Sequence, residues 1–158
     1  MTKALVAYFS PTGTTKKVAE RLAGAIGADL FEIEATPHYT SGDLDWRNKR
    51  SRSSLEMEDT SSRPPIAGTV DKMDAYDVVF VGFPIWWYRE PSIIDTFIEA
   101  YDFSGKTVVP FATSGGSGIG NSGRNLQALA PEAKVEKGER FSSNVAAGEL
   151  SAWAGRWL

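Results

Sequence analysis

A regular alternation of short apolar runs with longer stretches of helical periodicity leaves few folds open to this chain. Apolar, β-rich runs predict strands at residues 3–9, 30–34, 77–83 and 107–112, with a short fifth strand within 133–141. Apolar residues at helical spacing predict helices at 15–26, from Pro91 onward, at 121–130 and at 146–158. Strands that alternate with helices pair in parallel through right-handed crossovers. The sequence therefore predicts a three-layer α/β/α sandwich around a parallel sheet.

Residues 36–73 interrupt this alternation, and we name them the long segment. The chain has 158 residues, which suits one domain over 1–158, and no repeat or linker divides it. The long segment is then an insertion without a strong apolar period. Its length indicates a function beyond the connection of two elements. A solvated excursion and a lid over a ligand site are both consistent with its sequence.

The composition excludes several classes of function. The chain has no cysteine, which rules out disulfides, thiolate catalysis and iron–sulfur ligation and fits a reducing cytoplasm. Its net charge of −3 is far from the strongly basic balance of nucleic-acid-binding domains, and no apolar run approaches the roughly 18 residues of a membrane span. We therefore expect neither nucleic acid nor membrane as a partner. The single histidine, His38, lies among turn residues and is predicted to be solvated.

Ligands of open parallel sheets bind outside the carboxyl ends of the strands, so the loops after the first, third and fourth strands are the candidates. The first of these, residues 10–15, is named the phosphate loop. It packs four hydroxyl side chains and a glycine into six positions at a helix N-terminus. Such a terminus presents unpaired N–H groups and the positive end of the helix dipole to an anion. The loop predicts a phosphate site, although a simple helix cap would also use Ser or Thr.

The other two loops are predicted to hold a flat ring. Residues 82–91, the aromatic loop, contain Trp86, Trp87 and Tyr88 side by side, and three adjacent aromatics in a loop cannot all enter one core. Residues 112–120, the glycine loop, contain four glycines that permit close backbone approach and offer N–H and C=O groups to a polar ring edge. A phosphate site, an aromatic loop and a polar backbone edge together indicate a mononucleotide with a large flat ring.

These motifs resemble those of the flavodoxin superfamily, and within it a bacterial flavodoxin-like group. Thr12-Gly13-Thr14-Thr15 behind Tyr8-Phe9-Ser10 is similar to the phosphate-loop signature Ser/Thr-x-Thr-Gly-Asn-Thr. The stretches Gly82-x-Pro84-Ile85-Trp86-Trp87 and Thr113-Ser114-Gly115-Gly116-Ser117-Gly118 are similar to the two flavin-ring loops of that group. The resemblance implies a five-stranded parallel sheet in the order 2-1-3-4-5 and bound flavin mononucleotide (FMN).

By the same resemblance, each of the three loops receives a role in cofactor binding. The phosphate would be held by Ser10, Thr12, Gly13, Thr14 and Thr15. One side of the isoalloxazine would be lined by Pro84, Ile85, Trp86, Trp87 and Tyr88. The pyrimidine edge would meet the glycine loop, at Thr113, Ser114, Gly115, Gly116 and Gly118. Two departures stand out, since Thr14 replaces the usual Asn and the chain lacks the strongly acidic charge of mobile carriers.

The resemblance implies electron transfer by an FMN-containing oxidoreductase or electron carrier, with no catalytic side chain assigned. Its partner would be a redox protein or a small-molecule electron acceptor. The leading alternative is an FMN-dependent NAD(P)H or quinone reductase whose substrate site includes the long segment. A receiver-like signalling module on the same fold is a remote alternative. Receivers need clustered acidic residues at strand ends, and here the first and third strands run into Ser10 and Pro84.

Overall fold

The computed structural model describes residues 2–158, within which eight strands and five α-helices are formed. The strands are β1 (Ala4–Tyr8), β2 (Asp29–Glu32), β3 (Glu34–Ala35), β4 (Ile66–Ala67), β5 (Val78–Pro84), β6 (Thr107–Thr113), β7 (Lys134–Val135) and β8 (Glu139–Phe141). The helices are α1 (Thr14–Ile26), α2 (Arg52–Glu58), α3 (Ser92–Glu99), α4 (Ser122–Leu129) and α5 (Ala147–Ala154). The predicted helix at 146–158 therefore ends early and continues as a 3₁₀ turn, Gly155–Trp157.

The main sheet is parallel throughout and confirms the predicted order. The strands run β2-β1-β5-β6, and both β7 and β8 pair with the outer side of β6. The register places Val6 beside Leu30 on one side and beside Phe80 on the other. Because β7 and β8 together occupy the fifth position, the topology is the predicted 2-1-3-4-5 with its last strand in two pieces.

The break in the fifth strand has a local cause in its neighbour β6. Glu136 N–H donates to the carbonyl of Val108, and backbone groups alternate in direction along a strand, so Pro110 also faces the fifth strand. Proline has no N–H to give to a ladder. Opposite it, Gly138 has a φ of 83°, and a Cβ there would lie 2.3 Å from the Pro110 carbonyl oxygen. The chain therefore bulges at this point, and only Gly fits.

Helices cover both faces of the sheet, as the predicted three-layer sandwich requires. On one face, Leu5 and Ala7 of β1 pack into a core with α3 and α4. On the other face, Val6 and Tyr8 pack into a second core with α1 and α5. Alternate residues of one strand thus serve both layers, which explains why its sequence is apolar without interruption. No helix in the described residues is both long enough and apolar enough to cross a membrane.

The long segment and the two residues before it contain structure that the sequence pattern did not predict. The predicted strand at 30–34 ends at Glu32, and β3 then pairs antiparallel with β4 in a separate two-stranded sheet. Between them lies α2, a seven-residue helix whose N-cap Ser51 accepts a hydrogen bond from the N–H of Ser54. An ion pair between Arg52 and Glu56 one turn later, at 2.9 Å, supports it. These stabilising contacts are local and polar, so apolar periodicity gave no sign of the helix.

Candidate functional site

The three loops proposed from the sequence meet at the carboxyl edge of the sheet. A hydrogen bond of 2.7 Å between the hydroxyls of Thr15 and Thr113 joins the phosphate loop to the glycine loop. An edge-to-face contact between Phe9, which precedes the phosphate loop, and Trp86 joins it to the aromatic loop, with ring centroids 5.5 Å apart. The structure therefore brings the three candidate loops together at one edge of the fold.

The phosphate loop begins α1 and leaves backbone donors unused. Gly13 is the N-cap with a φ of 90°, a conformation that favours glycine. The Ser10 hydroxyl accepts from the N–H of Lys16 at 2.9 Å, which closes the loop on itself. Among the hydrogen bonds of residues 2–158, none involves the N–H groups of Thr12, Thr14 and Thr15. Three such donors at the positive end of a helix fit a phosphate dianion.

Two predicted ligands lie beneath the site surface. Thr15 is 1% exposed and Thr113 is 4% exposed, and their hydroxyls bond to each other. These side chains fix the distance between two loops and are not presented at the surface, whereas Thr12 and Thr14 are exposed. The N–H of Thr15 remains a donor even though its hydroxyl is engaged. The sequence placed all four hydroxyls in one loop but could not separate the buried, supporting hydroxyls from the exposed ones.

The aromatic loop ends in a tight hairpin. Trp86 N–H donates to the Arg89 carbonyl at 3.0 Å, and Arg89 N–H donates back to the Trp86 carbonyl at 3.2 Å. The two central residues, Trp87 and Tyr88, have φ values of 48° and 67°. This geometry matches a type I′ turn, which is usually built from Asn-Gly. The loop contains neither after Pro84, so nothing in its sequence predicted the hairpin.

The three adjacent aromatics do not all enter the core, as the sequence predicted. Trp87 is 44% exposed and Tyr88 is 82% exposed, whereas Trp86 is half-buried. Trp86 packs edge-to-face on both Phe9 and Tyr39, at centroid distances of 5.5 Å. Its packing therefore helps to attach the aromatic loop to the body of the protein, while its two neighbours stand at the surface.

Tyr39 is a site residue that the sequence did not reveal. It comes from the long segment, and the Arg52 guanidinium lies 4.0 Å from its ring centroid. Its hydroxyl donates to the Glu56 carboxylate. Burial and this hydrogen bond raise the pKa of Tyr39 well above its ordinary value, so the phenol stays protonated. A lone Tyr in a segment without periodicity carries no signal of such a role.

A cavity of about 580 Å³ lies between the aromatic loop, the long segment and the glycine loop, and we name it the ring cavity. Its volume is in the range of small-molecule and cofactor sites. The aromatic loop lines it with Ile85, Trp86, Trp87 and Tyr88, the long segment with Leu44, Trp46 and Ser53, and the glycine loop with Ser117. The long segment thus forms part of the wall. This favours the lid interpretation over the solvated excursion, and His38 in the same segment is exposed as predicted.

The glycine loop has free space around the glycines at which the sequence predicted the close approach of a ligand. A Cβ added to Gly115, Gly116 or Gly118 would meet no atom within 4 Å, and none of the three has a positive φ. The protein itself therefore does not require glycine at these positions, which fits a role in approach to a ligand. Arg140 of β8 holds the start of the loop, since its Nη2 donates to the Ser114 carbonyl at 2.6 Å.

A buried charge cluster supports the aromatic loop from behind. Glu90 is 1% exposed and Asp95 is 5% exposed. Arg89 Nη1 lies 3.8 Å from a carboxylate oxygen of each, and Arg63 Nη1 lies 4.0 Å from Asp95. Burial, together with the neighbouring Glu90 carboxylate, raises the pKa of Asp95 to about 8. Within the described part of the chain, no group of three or more His, Cys, Asp or Glu residues is arranged to hold a metal ion.

The sequence matches a family model described as flavodoxin over residues 3–157. None of the curated proteins matches it closely enough to count as a relative.

Several solved structures are similar to this chain. A protein from Bacteroides eggerthii, provisionally assigned as a flavoprotein, is 50% identical with a TM-score of 0.93, and the alignment covers 99% of this chain and 98% of that one. A protein from Bacteroides uniformis with the same provisional assignment is 45% identical, with a TM-score of 0.91 and 98% of each chain covered. A flavoprotein from Lactobacillus acidophilus in complex with FMN shares the fold at 22% identity, with a TM-score of 0.71 and 99% of each chain covered.

Proposed function

The chain belongs to the flavodoxin family and takes FMN as its cofactor, and from that premise we propose that it acts in electron transfer as an oxidoreductase or electron carrier. The observation that carries the proposal is the assembly at the sheet edge. Unpaired N–H groups at the start of α1 stand at one end, and an aromatic-walled cavity of about 580 Å³ stands at the other. A phosphate with a flat ring attached needs both.

The residues of this chain would divide the binding task by chemistry. The N–H groups of Thr12, Thr14 and Thr15 would hold the phosphate without adding charge. Trp86, Trp87 and the long segment would flank the ring and limit the access of water to it. The backbone of the glycine loop would meet its polar edge. FMN, when bound, supplies the redox chemistry, and the protein supplies binding, orientation and electrostatics.

The test is to purify the protein, record its absorption spectrum and identify the released cofactor by mass spectrometry. We expect a flavin spectrum and the mass of FMN. The FMN-loaded protein is then photoreduced without oxygen and mixed with a one-electron acceptor such as a ferric haem protein. Rapid return of the oxidised spectrum supports electron transfer. A protein that binds no flavin, or whose reduced flavin persists with every acceptor, would refute the proposal.

A reductase acting directly on NAD(P)H or a quinone is the second candidate, and a specific observation favours it. Leu44 and Trp46 of the long segment line the ring cavity, so this chain has an additional wall that could select a small substrate. Steady-state oxidation of NADPH in the presence of a quinone, with no other protein added, separates the two candidates. Sustained turnover supports the reductase, whereas turnover that requires a separate reductase protein supports the carrier.

A further inference from the structure

A second cavity of about 650 Å³ adjoins the ring cavity on the side of the long segment. Trp46 and Trp87 line both cavities, so the two indoles form their common boundary. Both indoles are substantially exposed, at 67% and 44%. Large exposed aromatic surfaces that frame a cavity favour a flat partner that covers them. A ring seated between these indoles would lie next to the ring cavity.

The lining of the second cavity is positively charged. Arg47, Lys49 and Arg89 line it, against the single acid Glu58. Arg89 is already engaged, because its Nη2 donates to the Met57 carbonyl at 3.2 Å and its Nη1 faces the buried carboxylates of the charge cluster. Its side chain is fixed in place and closes one side of the cavity.

Arg47 and Lys49 differ from Arg89 in having no carboxylate partner. No ion pair within residues 2–158 involves either side chain. The Arg47 guanidinium lies 5.3 Å from the Trp46 ring centroid, so a cation is held beside one of the two indoles. Cationic side chains beside an aromatic wall can bind the charged group and the ring of one molecule together.

We propose that the second cavity is a binding site for small aromatic anions, with the ring between Trp46 and Trp87 and the anionic group on Arg47 and Lys49. The inference rests on the proposed function, because a ligand seated there would lie next to the flavin as its reaction partner. A quinone would take two electrons and two protons from the reduced flavin, whereas NADPH would give a hydride to the oxidised flavin, with a proton from solvent, and leave as NADP⁺. The same chemistry has two sources, an aromatic acceptor that carries an acid group and the phosphorylated nicotinamide dinucleotide NADPH. Arg47 and Lys49 then determine which substrates the protein prefers.

The test measures binding by calorimetry with the FMN-loaded protein. The probe is naphthoquinone sulfonate, and the neutral methyl-naphthoquinone is its counterpart of similar size. The Arg47→Gln/Lys49→Gln variant is expected to bind the sulfonate about tenfold more weakly and the neutral quinone equally well. The matched control is Arg50→Gln/Arg124→Gln, which removes the same charge from exposed residues that line neither cavity and should bind like the unaltered protein.

Further measurements test separately where the probe binds and whether its charge matters. Trp46→Ala should weaken the binding of both quinones, and Trp46 is exposed enough for the variant to fold. Raising the salt from about 0.05 M to about 0.5 M should weaken only the sulfonate. FMN must not displace the probe. Displacement by FMN, equal affinity for the two quinones, or a charge variant that behaves like its control would each overturn the site.

Competition with NADPH identifies the source of the anion. If NADPH displaces the sulfonate and binds more weakly to the Arg47→Gln/Lys49→Gln variant, the site receives the dinucleotide. If the sulfonate binds and NADPH leaves it in place, the site receives the acidic acceptor. Binding by calorimetry requires no electron transfer, so a protein that binds the probe but never reoxidises refutes the proposed function alone. Reoxidation by both quinones without preference for the anion refutes the site alone.

Discussion

At the phosphate end of the site, residues 10–15 offer backbone N–H groups at the start of α1, whereas at the ring end side chains from separate segments of the chain meet. The phosphate end is mostly local: its loop is closed by hydrogen bonds between residues a few positions apart, as between Lys16 and Ser10, and one side-chain bond, between Thr15 and Thr113, ties it to a distant loop. The ring end depends on Trp46 and Trp86, which line one cavity, and on Tyr39, which packs on Trp86. The first kind of site follows from the helix itself, and the second follows only from the complete fold.

The difference also concerns backbone strain. At the phosphate end the positive φ belongs to Gly13, which adopts it readily. At the ring end the positive φ values belong to Trp87 and Tyr88, for which the conformation costs on the order of 1–3 kcal/mol each. Surrounding contacts must offset that cost, among them the two hydrogen bonds that close the hairpin and the packing of Trp86. The ring end is therefore the part of the site most sensitive to the packing around it.

The largest expected effect is on FMN binding at the phosphate end. Thr12→Glu would place a carboxylate beside the phosphate dianion at the start of α1. Like charges near a protein surface repel by about 2–4 kcal/mol at such distances, so the dissociation constant for FMN should rise roughly 30- to 1,000-fold. Titration of apoprotein with FMN measures it.

Thr12→Gln is the control for this change, because it has nearly the same size and no charge. It should bind FMN within about threefold of the unaltered protein, a difference of under 1 kcal/mol. If the Glu variant folds and binds FMN as well as the Gln variant, the phosphate does not lie against this loop. The contrast between the two ends of the site would then lose its basis.

The second prediction concerns the charge cluster behind the ring end and the pH dependence of folding. The pKa of Asp95 is raised by burial and by Glu90 from its ordinary 3.8 to about 8, with Arg63 and Arg89 opposing the shift. Between these values the folded protein holds a proton that the unfolded chain has released. The stability from this group is therefore complete below about pH 4 and is lost as the pH rises through about 8. One such proton gives a slope of about −1.4 kcal/mol per pH unit.

Asp95→Asn should remove that slope, since the amide resembles the protonated acid and does not titrate. Urea unfolding of the apoprotein at a series of pH values measures it. Glu99→Gln on the same helix is the matched control: the pKa of Glu99 is lowered by its hydrogen bond to Arg63 and by that charge, so its contribution is lost only as the pH falls below the ordinary 4.5. A slope that persists in the Asn variant would show that another group causes it and that Asp95 does not hold the extra proton of the folded protein.

How much could be read from the sequence follows the same division. The position of the phosphate loop at the start of α1 was predicted, because it depends on neighbouring residues at a helix start, and its binding of phosphate stays a prediction. The sheet order and the helices on its two faces were predicted as well, and so was the exposure of some of the three adjacent aromatics, although not which of them are exposed. Tyr39 and Arg140 were not, since their roles depend on contacts with residues far away in the sequence. Nor was the hairpin, because the residues at positive φ are not those that usually adopt it.

The divided fifth strand shows the same limit at the level of the fold. Pro110 and Gly138 are visible in the sequence, but their effect arises only because the parallel register places them side by side. Likewise, the long segment has no apolar period, and its packing against the aromatic loop depends on single side chains. Periodicity predicts elements that are stabilised by a repeated apolar face, and it is silent on those held by individual contacts.

The third prediction compares Trp86, which packs on the body of the protein, with Trp87, which stands at the surface of the ring end. Trp86→Ala removes a half-buried indole that packs on Phe9 and Tyr39, and the apoprotein should lose about 2 kcal/mol of its free energy of unfolding. Trp87→Ala removes a more exposed indole and should cost under about 1 kcal/mol. Urea unfolding compares the two variants, and FMN titration should show weaker binding in both. Equal losses of stability would mean that the aromatic loop is not anchored through Trp86.

The smallest expected effect tests whether the hairpin is strained. Tyr88 has a φ of 67° and is 82% exposed, so its side chain contributes little packing while its backbone occupies an unfavourable region. Glycine accepts that region at little cost but loses more freedom on folding, and the two effects partly offset each other. Tyr88→Gly should therefore be more stable than Tyr88→Ala by about 0.5–1 kcal/mol, because Ala keeps the penalty at positive φ that Gly removes.

The Ala variant is the matched control, since both changes remove the same ring. Urea unfolding of the two apoproteins measures the difference, and an Ala variant as stable as the Gly variant would show that the turn is free of strain. The ring end would then resemble the phosphate end in its backbone and differ from it only in drawing its side chains from separate segments.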